Sequence, residues 1–275
     1  MPVDLKSEME QLIADAARDE SVVMGRGRKI VEAVIEALDR GEIRVAEPVG
    51  GSWQTNAWIK QAILYYFKVA EMHEMVVGPF TWFDKIPIKK NLRELKVRAV
   101  PPATARYGSF MEPGVVLMPS FVNIGAWVGR NTMVDTWATV GSCAQVGANV
   151  HLSGGVGLGG VLEPPSATPV IIEDGAFVGS RCIVVEGVRV GKEAVLAANT
   201  TLTMSTPIID TRGGSMTESK GFVPARAVVV PGVKEKIIAG GKIMTSCAYI
   251  IGDRKASTDL KTSLNDTLRD FALSV

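Results

Sequence analysis

The sequence predicts a mainly β protein built as a parallel β-helix, and three regularities in the 275-residue chain predict it. An apolar residue returns at every sixth position from Phe110 through Val116, Val122, Val128, Val134, Val140, Val146 and Leu152 to Leu158. The series slips by two residues across a Pro-rich insert and resumes at Ile172, Val178, Val184, Val190, Leu196, Leu202 and Ile208. The fourth residue after each is nearly always small or aliphatic: Gly114, Ser120, Ala126, Thr132, Ala138, Ala144 and Val150, then Ala176, Cys182, Val188, Ala194, Thr200 and Thr206. A glycine often follows the aliphatic residue directly (Gly129, Gly141, Gly147, Gly159, Gly179, Gly191), where it is expected to ease a bend. In a chain that is 47% hydrophobic, so long a run at one spacing does not come from composition alone.

Sixfold spacing has a direct physical reading. Each unit supplies about four strand residues and a two-residue corner, and three units close one triangular coil. Coils stack at about the 4.8 Å strand spacing, so each position lies above its counterpart one coil earlier. The aliphatic residue fills a corner of the prism and the small one fits the flat interior beside it. Such a stack exposes two edges, so a cap is expected at each end.

The rest of the chain follows in order. Leu5, Met9, Leu12, Ile13 and Ala16 recur at helical spacing, as do Ile30, Val31, Val34, Ile35 and Leu38 before a stop at Asp39-Arg40-Gly41. Ile43–Glu47 alternates like a short strand, and Thr55 reads as the N-cap of a helix that puts Trp58, Ile59, Ala62, Ile63 and Tyr66 on one face. Residues 1–102 are thus expected to form a helical domain and an extended linker. Residues 103–230 form the β-helix, with an insert loop at 163–170, and 231–275 a capping strand and helix (Ala248–Ile251, Leu260–Phe271). Val223 and Val229 are expected to recover the sixfold spacing after the turn-rich stretch Thr211–Lys220.

Composition excludes some function classes. A net charge of +1 gives no footprint for nucleic acid or an acidic membrane, and no run of eighteen apolar residues could span a bilayer. The opening MPVDLKSEMEQL is charged and amphipathic, unlike a signal peptide. Cys143, Cys182 and Cys247 are an odd number without close pairing, which suits reduced thiols in a cytoplasmic protein. A metal site would need about three imidazoles, and the chain has only His73 and His151.

Flat prism faces favour a site in the groove between parallel prisms, hence an oligomer. The chemistry is suggested by Met133–Ala144 (MVDTWATVGSCA), Asn149–Gly157 (NVHLSGGVG), Gly160–Pro164 (GVLEP) and Val185-Glu186-Gly187-Val188. Upstream stand Arg44-Val45-Ala46-Glu47, Trp58-Ile59-Lys60, Phe83–Pro87 (FDKIP) and Val100-Pro101-Pro102. Together these resemble the tetrahydrodipicolinate N-succinyltransferase family of hexapeptide-repeat acyltransferases, over most of the chain and more weakly after about residue 200.

The resemblance implies a left-handed helix and a homotrimer with sites between subunits. It also implies transfer of succinyl from succinyl-CoA, a co-substrate and not a tightly bound cofactor, to the amine of the opened dicarboxylate in lysine and diaminopimelate biosynthesis. Asp135 matches the family acid that contacts the amine, and Arg98 matches an arginine that binds substrate, where a guanidinium suits a carboxylate. Glu186 is a candidate second acid; some relatives carry a glutamate three residues earlier, where this chain has Ile183. Gly154 and Gly160 would let CoA approach backbone amides, and Lys234 and Lys242 would meet its phosphates. An acetyl-transferring homologue and a non-catalytic β-helix scaffold are the alternatives.

Overall fold

The computed structural model describes residues 4–255. Short parallel strands stack into a three-sided prism whose sheets have six, ten and six strands. The first face runs upward through Phe110, Trp127, Gln145, Ile171, Arg189 and Phe222. On the second face Arg98, Val116, Met133, His151, Phe177 and Val195 are in register. The third carries Thr104, Phe121, Thr139, Gly157, Ile183 and Thr201. The residue after each of these points inward, and Val122, Val128, Val134, Val140, Val146, Leu152, Leu158, Ile172, Val178, Val184, Val190, Leu196 and Leu202 are all buried in one core.

The first coil departs from the expected register. Met111 and Leu117 point inward, pairing with Val128 and Val134, so Phe110 and Val116 lie on the outside. The unit from Leu117 to Val122 is one residue short, which moves every earlier side chain by one position. Val115 takes the interior slot and Gly114 is exposed at a corner with φ of +85°. Phe110 is apolar for another reason: it packs on Trp127, with ring centroids 4.6 Å apart.

The glycines after the aliphatic positions have a different role from the one expected. None of them adopts positive φ. A Cβ on Gly129 would come within 2.4 Å of the Gly147 carbonyl carbon, and one on Gly141 within 2.3 Å of the Gly160 nitrogen. They are glycines because the next coil lies directly overhead. The left-handed turn falls two residues later, at Asn131, Trp137, Cys143, Asn149, Gly155, Arg181, Glu193 and Asn199. Asn and Gly tolerate that conformation best, and each such amide donates to a carbonyl one coil below, as Asn149 N does to Arg130 O.

Two excursions leave the stack. Ile171 follows its partner Gln145 by 26 positions where regular coils advance by 18, so the insert adds eight residues at the third-to-first corner. Lys60 holds this loop: its side chain is fully buried and Nζ donates to Pro164 O at 3.1 Å and Ala167 O at 2.7 Å. After Thr201–Leu202, Ile208 is buried but is not part of a coil; Ile208–Asp210 pairs with Thr217–Ser219 and with Ala248–Ile250. Val223 and Val229 then rejoin the prism over Val190 and Leu196. The chain ends its described part in a long antiparallel hairpin, Ala227–Ile238 with Gly241–Asp253, which puts Ala248 and Ile250 over the upper end of the core. The helix expected at Leu260–Phe271 lies outside the described residues.

Helices α1 (Leu5–Ala16), α2 (Ser21–Met24), α3 (Gly27–Arg40) and α4 (Ala57–Val69) pack against the side of the prism rather than its end. Ile35, Ile59, Ile63 and Ile86 share a core with Ile124 and Cys143. Helix α3 stops where expected, at Gly41 with φ of +73°. The N-cap of α4 is Asn56 instead of Thr55, and its side chain donates to Arg44 O and Glu47 Oε1. Two hairpins complete this part, β1 (Ala46–Val49) with β2 (Ser52–Thr55) and β3 (His73–Val77) with β4 (Phe80–Asp84). Leu92, Leu95 and Ala99 close the lower end of the prism core. The Lys89 ammonium, fully buried, pairs with Asp39 at 2.7 Å and ties this closing segment to α3.

Gly129→Ala should destabilise the protein by about 1–3 kcal/mol, because the backbone of the next coil cannot yield as a side chain can. An unchanged thermal midpoint would show that the coils move apart to admit a methyl group. Val134→Asp places an unpaired carboxylate in the core and should abolish soluble expression; a soluble, folded variant would show that Val134 does not face inward.

Candidate active site

Asp135 follows the inward Val134, so it turns outward just as the second face bends into the corner Thr136-Trp137. Its Oδ1 accepts from Thr136 N at 2.7 Å and Thr136 Oγ1 at 3.2 Å, which locks the carboxylate at the corner. Oδ2 is left to face His151 Nε2 at 4.0 Å. The imidazole lies flat on Phe177, with centroids 5.0 Å apart and planes 6° apart. Both polar groups keep about a third of their side-chain surface exposed. Burial lowers the His151 pKa from 6.5, and the Asp135 charge opposes part of that shift. The ring is therefore neutral at pH 7, with a nitrogen able to accept a proton, and a fixed carboxylate stands beside it.

From the sequence alone His151 suggests only a metal ligand, without the further imidazoles such a site needs. Its spacing from Asp135 could have found it. On an 18-residue coil a separation of 16 places two residues one level apart and two positions back, which makes them diagonal neighbours on one face. Among the described residues no three His, Cys, Asp or Glu side chains cluster to hold a metal ion; His73 lies on the β3–β4 hairpin.

The other expected site residues are dispersed in the single chain. Arg98 shares the second face but stands two coils below Met133, about 10 Å by strand spacing, and is exposed. Glu186 occupies the third-to-first corner, a different edge from Asp135, with φ of +60°, and its Oε2 accepts from Met204 N at 3.1 Å. Ile183 is 37% exposed on the third face. Gly154 lies directly above Thr136, and a Cβ there would touch only Thr136 O, at 3.4 Å. Gly160 sits where the insert departs, pressed on Ser142. Lys234 and Lys242 are on the long hairpin, in ion pairs with Glu218 and Glu235. A shallow cavity of about 220 Å³ on the third face is lined by Pro102, Phe121, Trp137 and Thr139, and Asp135 is not part of its lining.

His151 titration tests the pair. Its folded pKa lies below its unfolded value near 6.5, so its contribution to stability is present above that pH and is lost as pH falls through the folded value. Asp135→Asn removes the opposing charge and should lower the His151 pKa further, read from its ring proton resonances in NMR. A rise would show that the two side chains do not interact.

Comparison with known proteins matches the chain to one family. The family model described as "Tetrahydrodipicolinate N-succinyltransferase N-terminal" matches residues 4–69, and "Hexapeptide repeat of succinyl-transferase" matches 169–204. Proteins named 2,3,4,5-tetrahydropyridine-2,6-dicarboxylate N-succinyltransferase are similar over nearly the whole length. That of Bradyrhizobium diazoefficiens is 48% identical over 96% of this chain and 99% of its own. That of Acinetobacter baylyi is 48% identical over 88% and 89%. That of Polynucleobacter asymbioticus is 50% identical over 88% and 90%. The chain belongs to the tetrahydrodipicolinate N-succinyltransferase family.

Proposed function

We propose that the chain is a CoA-dependent N-succinyltransferase. It moves succinyl from succinyl-CoA to the amine of opened tetrahydrodipicolinate, in the diaminopimelate branch of lysine biosynthesis. The name carried by its relatives supports the reaction, and the Asp135–His151 pair is the observation that supports its location. The amine nitrogen attacks the thioester carbonyl carbon and its proton passes to the Asp135–His151 pair. The carbon–sulfur bond breaks, the amide forms, and the departing sulfur takes that proton to leave as the CoA thiol. A fixed carboxylate orients the amine, and a neutral imidazole is in the correct state to receive the proton.

In this reading the working unit is a homotrimer of left-handed prisms. The helices pack on the third-to-first corner at Ile124 and Cys143, and Gly41 and Arg44 just beyond α3 lie over Phe110 and Gln145 of the first face, which leaves the second face and the rest of the third to pair between copies. Trp137, 70% exposed at the corner between those faces, and Ile183 are apolar groups that such pairing would bury. Arg98 binds a substrate carboxylate. Glu186, far from Asp135 within one chain, belongs to the third-face edge that a neighbouring copy would present to the groove. Gly154 and Gly160 line the approach of the acyl-CoA arm, and Lys234 and Lys242 would have to leave their glutamates to reach its phosphates. The thiols of Cys143 and Cys182 are buried, with pKa values pushed up to about 12 and about 11, and take no part. Among the described residues no helix is long and apolar enough to cross a membrane.

Thiol release from succinyl-CoA in the presence of tetrahydrodipicolinate tests the reaction. Release is expected with succinyl-CoA in preference to acetyl-CoA; the reverse preference, or none with either, would overturn it. Asp135→Asn should lower kcat by about a hundredfold or more while sedimentation and thermal stability stay close to the parent. Full activity in that variant would remove Asp135 from the mechanism.

A further inference from the structure

A separate cavity of about 340 Å³ lies at the first-to-second corner, where the β1–β2 hairpin overhangs the prism. It is across the second face from the Asp135 corner. Its floor is nearly bare backbone, from Gly129, Gly147 and Ala148 on consecutive coils. The two glycines are there because of the stacking constraint, and the slot is a by-product of it. The roof is Trp53 and Trp127, with the Arg44 guanidinium 5.3 Å and 4.6 Å from their ring centroids. Arg44 Nε donates to Gln145 Oε1 at 2.6 Å, and Trp53 Nε1 is fixed on Glu173 at 2.9 Å.

Arg44 and the acids Glu112 and Asp174 face the same slot but do not meet, while Glu173, also in the lining, is already paired with Arg189 at 2.6 Å. Glu112 and Asp174 act electrostatically on Arg44, yet among the described residues no carboxylate lies within ion-pair distance of it. Each acid is held down by one backbone amide, Glu112 Oε2 by Arg130 N at 2.7 Å and Asp174 Oδ1 by Ala148 N at 2.8 Å. Glu112 Oε1 and Asp174 Oδ2 have no hydrogen bond among the described residues. A guanidinium largely removed from water ordinarily closes on a carboxylate. Here indole rings and Gln145 fix the cation, backbone amides fix the anions, and the cavity stands between them. Arg130, Lys192 and Glu173 complete the charged lining, so an anion alone would leave Glu112 and Asp174 without a counter-charge and a cation alone would leave Arg44 without one. A molecule carrying both charges satisfies both sides.

We propose that this slot binds a zwitterionic α-amino acid, with its carboxylate on the free edge of Arg44 and its ammonium between Glu112 and Asp174. The indole walls would take up its aliphatic carbons. The site is independent of the transferase reading and would hold whatever reaction the Asp135 corner performs.

Isothermal calorimetry on the full chain tests it, using L-α-amino acids, each beside its amine-only and carboxylate-only analogues. At least one amino acid should bind saturably, with both analogues tenfold or more weaker. Asp174→Asn keeps the bond to Ala148 N and should weaken binding at least tenfold; Ala148→Leu should abolish it by filling the floor. Asp135→Asn should leave it unchanged. Absence of saturable binding by every amino acid, equal binding by a singly charged analogue, indifference to Asp174→Asn, or loss on Asp135→Asn would each overturn the proposal.

Discussion

Every feature of this protein is subject to the vertical repeat of its backbone. A coil lies over each coil at strand spacing, so a side chain at a corner has neighbours above and below as well as beside it. That constraint puts glycine at Gly129, Gly141 and Gly147, where a single methyl group would meet backbone. It also sets the interior polar groups. Thr132, fully buried, gives its hydroxyl to Gly147 O at 2.8 Å and accepts from Val150 N at 3.0 Å, bridging one level to the next. A polar residue inside the prism is tolerated when the adjacent coil supplies both partners.

The prism was legible because its period is short and its core is a single column of aliphatics. From Val122 to Leu202 the sixfold register is the inward register. It misled in the first coil, where Phe110 and Val116 keep the spacing although a short unit has turned them outward. Apolarity reports burial without saying what does the burying, and at Phe110 it is Trp127 and the helical part that do it. Ile208 misled for the same reason, being buried by the terminal hairpin. The hairpin β3–β4 has no such signature in the sequence, since Val76, Val77, Phe80 and Phe83 are all exposed and show no alternation.

The site was legible as residue types and less so as geometry. Asp135 stood out because it follows an inward valine within a motif, and the structure gives it a defined rotamer through Thr136 and a partner in His151. That partnership is a property of the coil length, invisible to a reading that compares neighbours along the chain. Arg98 and Glu186 lie on other levels or edges, so no pattern within one chain brings them to Asp135.

Lys60 gives the insert a status that its loop-like composition conceals. The ammonium is sealed beneath the segment and its hydrogen bonds go to two carbonyls of it, so loop and helix share one buried charge. Shortening the loop would strand that charge in an apolar interior, at several kcal/mol, and replacing the lysine would orphan Ala167 O and leave Pro164 O with Ala167 N alone. Neither can be lost alone without penalty. In descent the eight extra residues and the lysine sixty positions into the chain would therefore change together or not at all, which makes the insert a graft rooted in the helical part rather than an ornament of the prism.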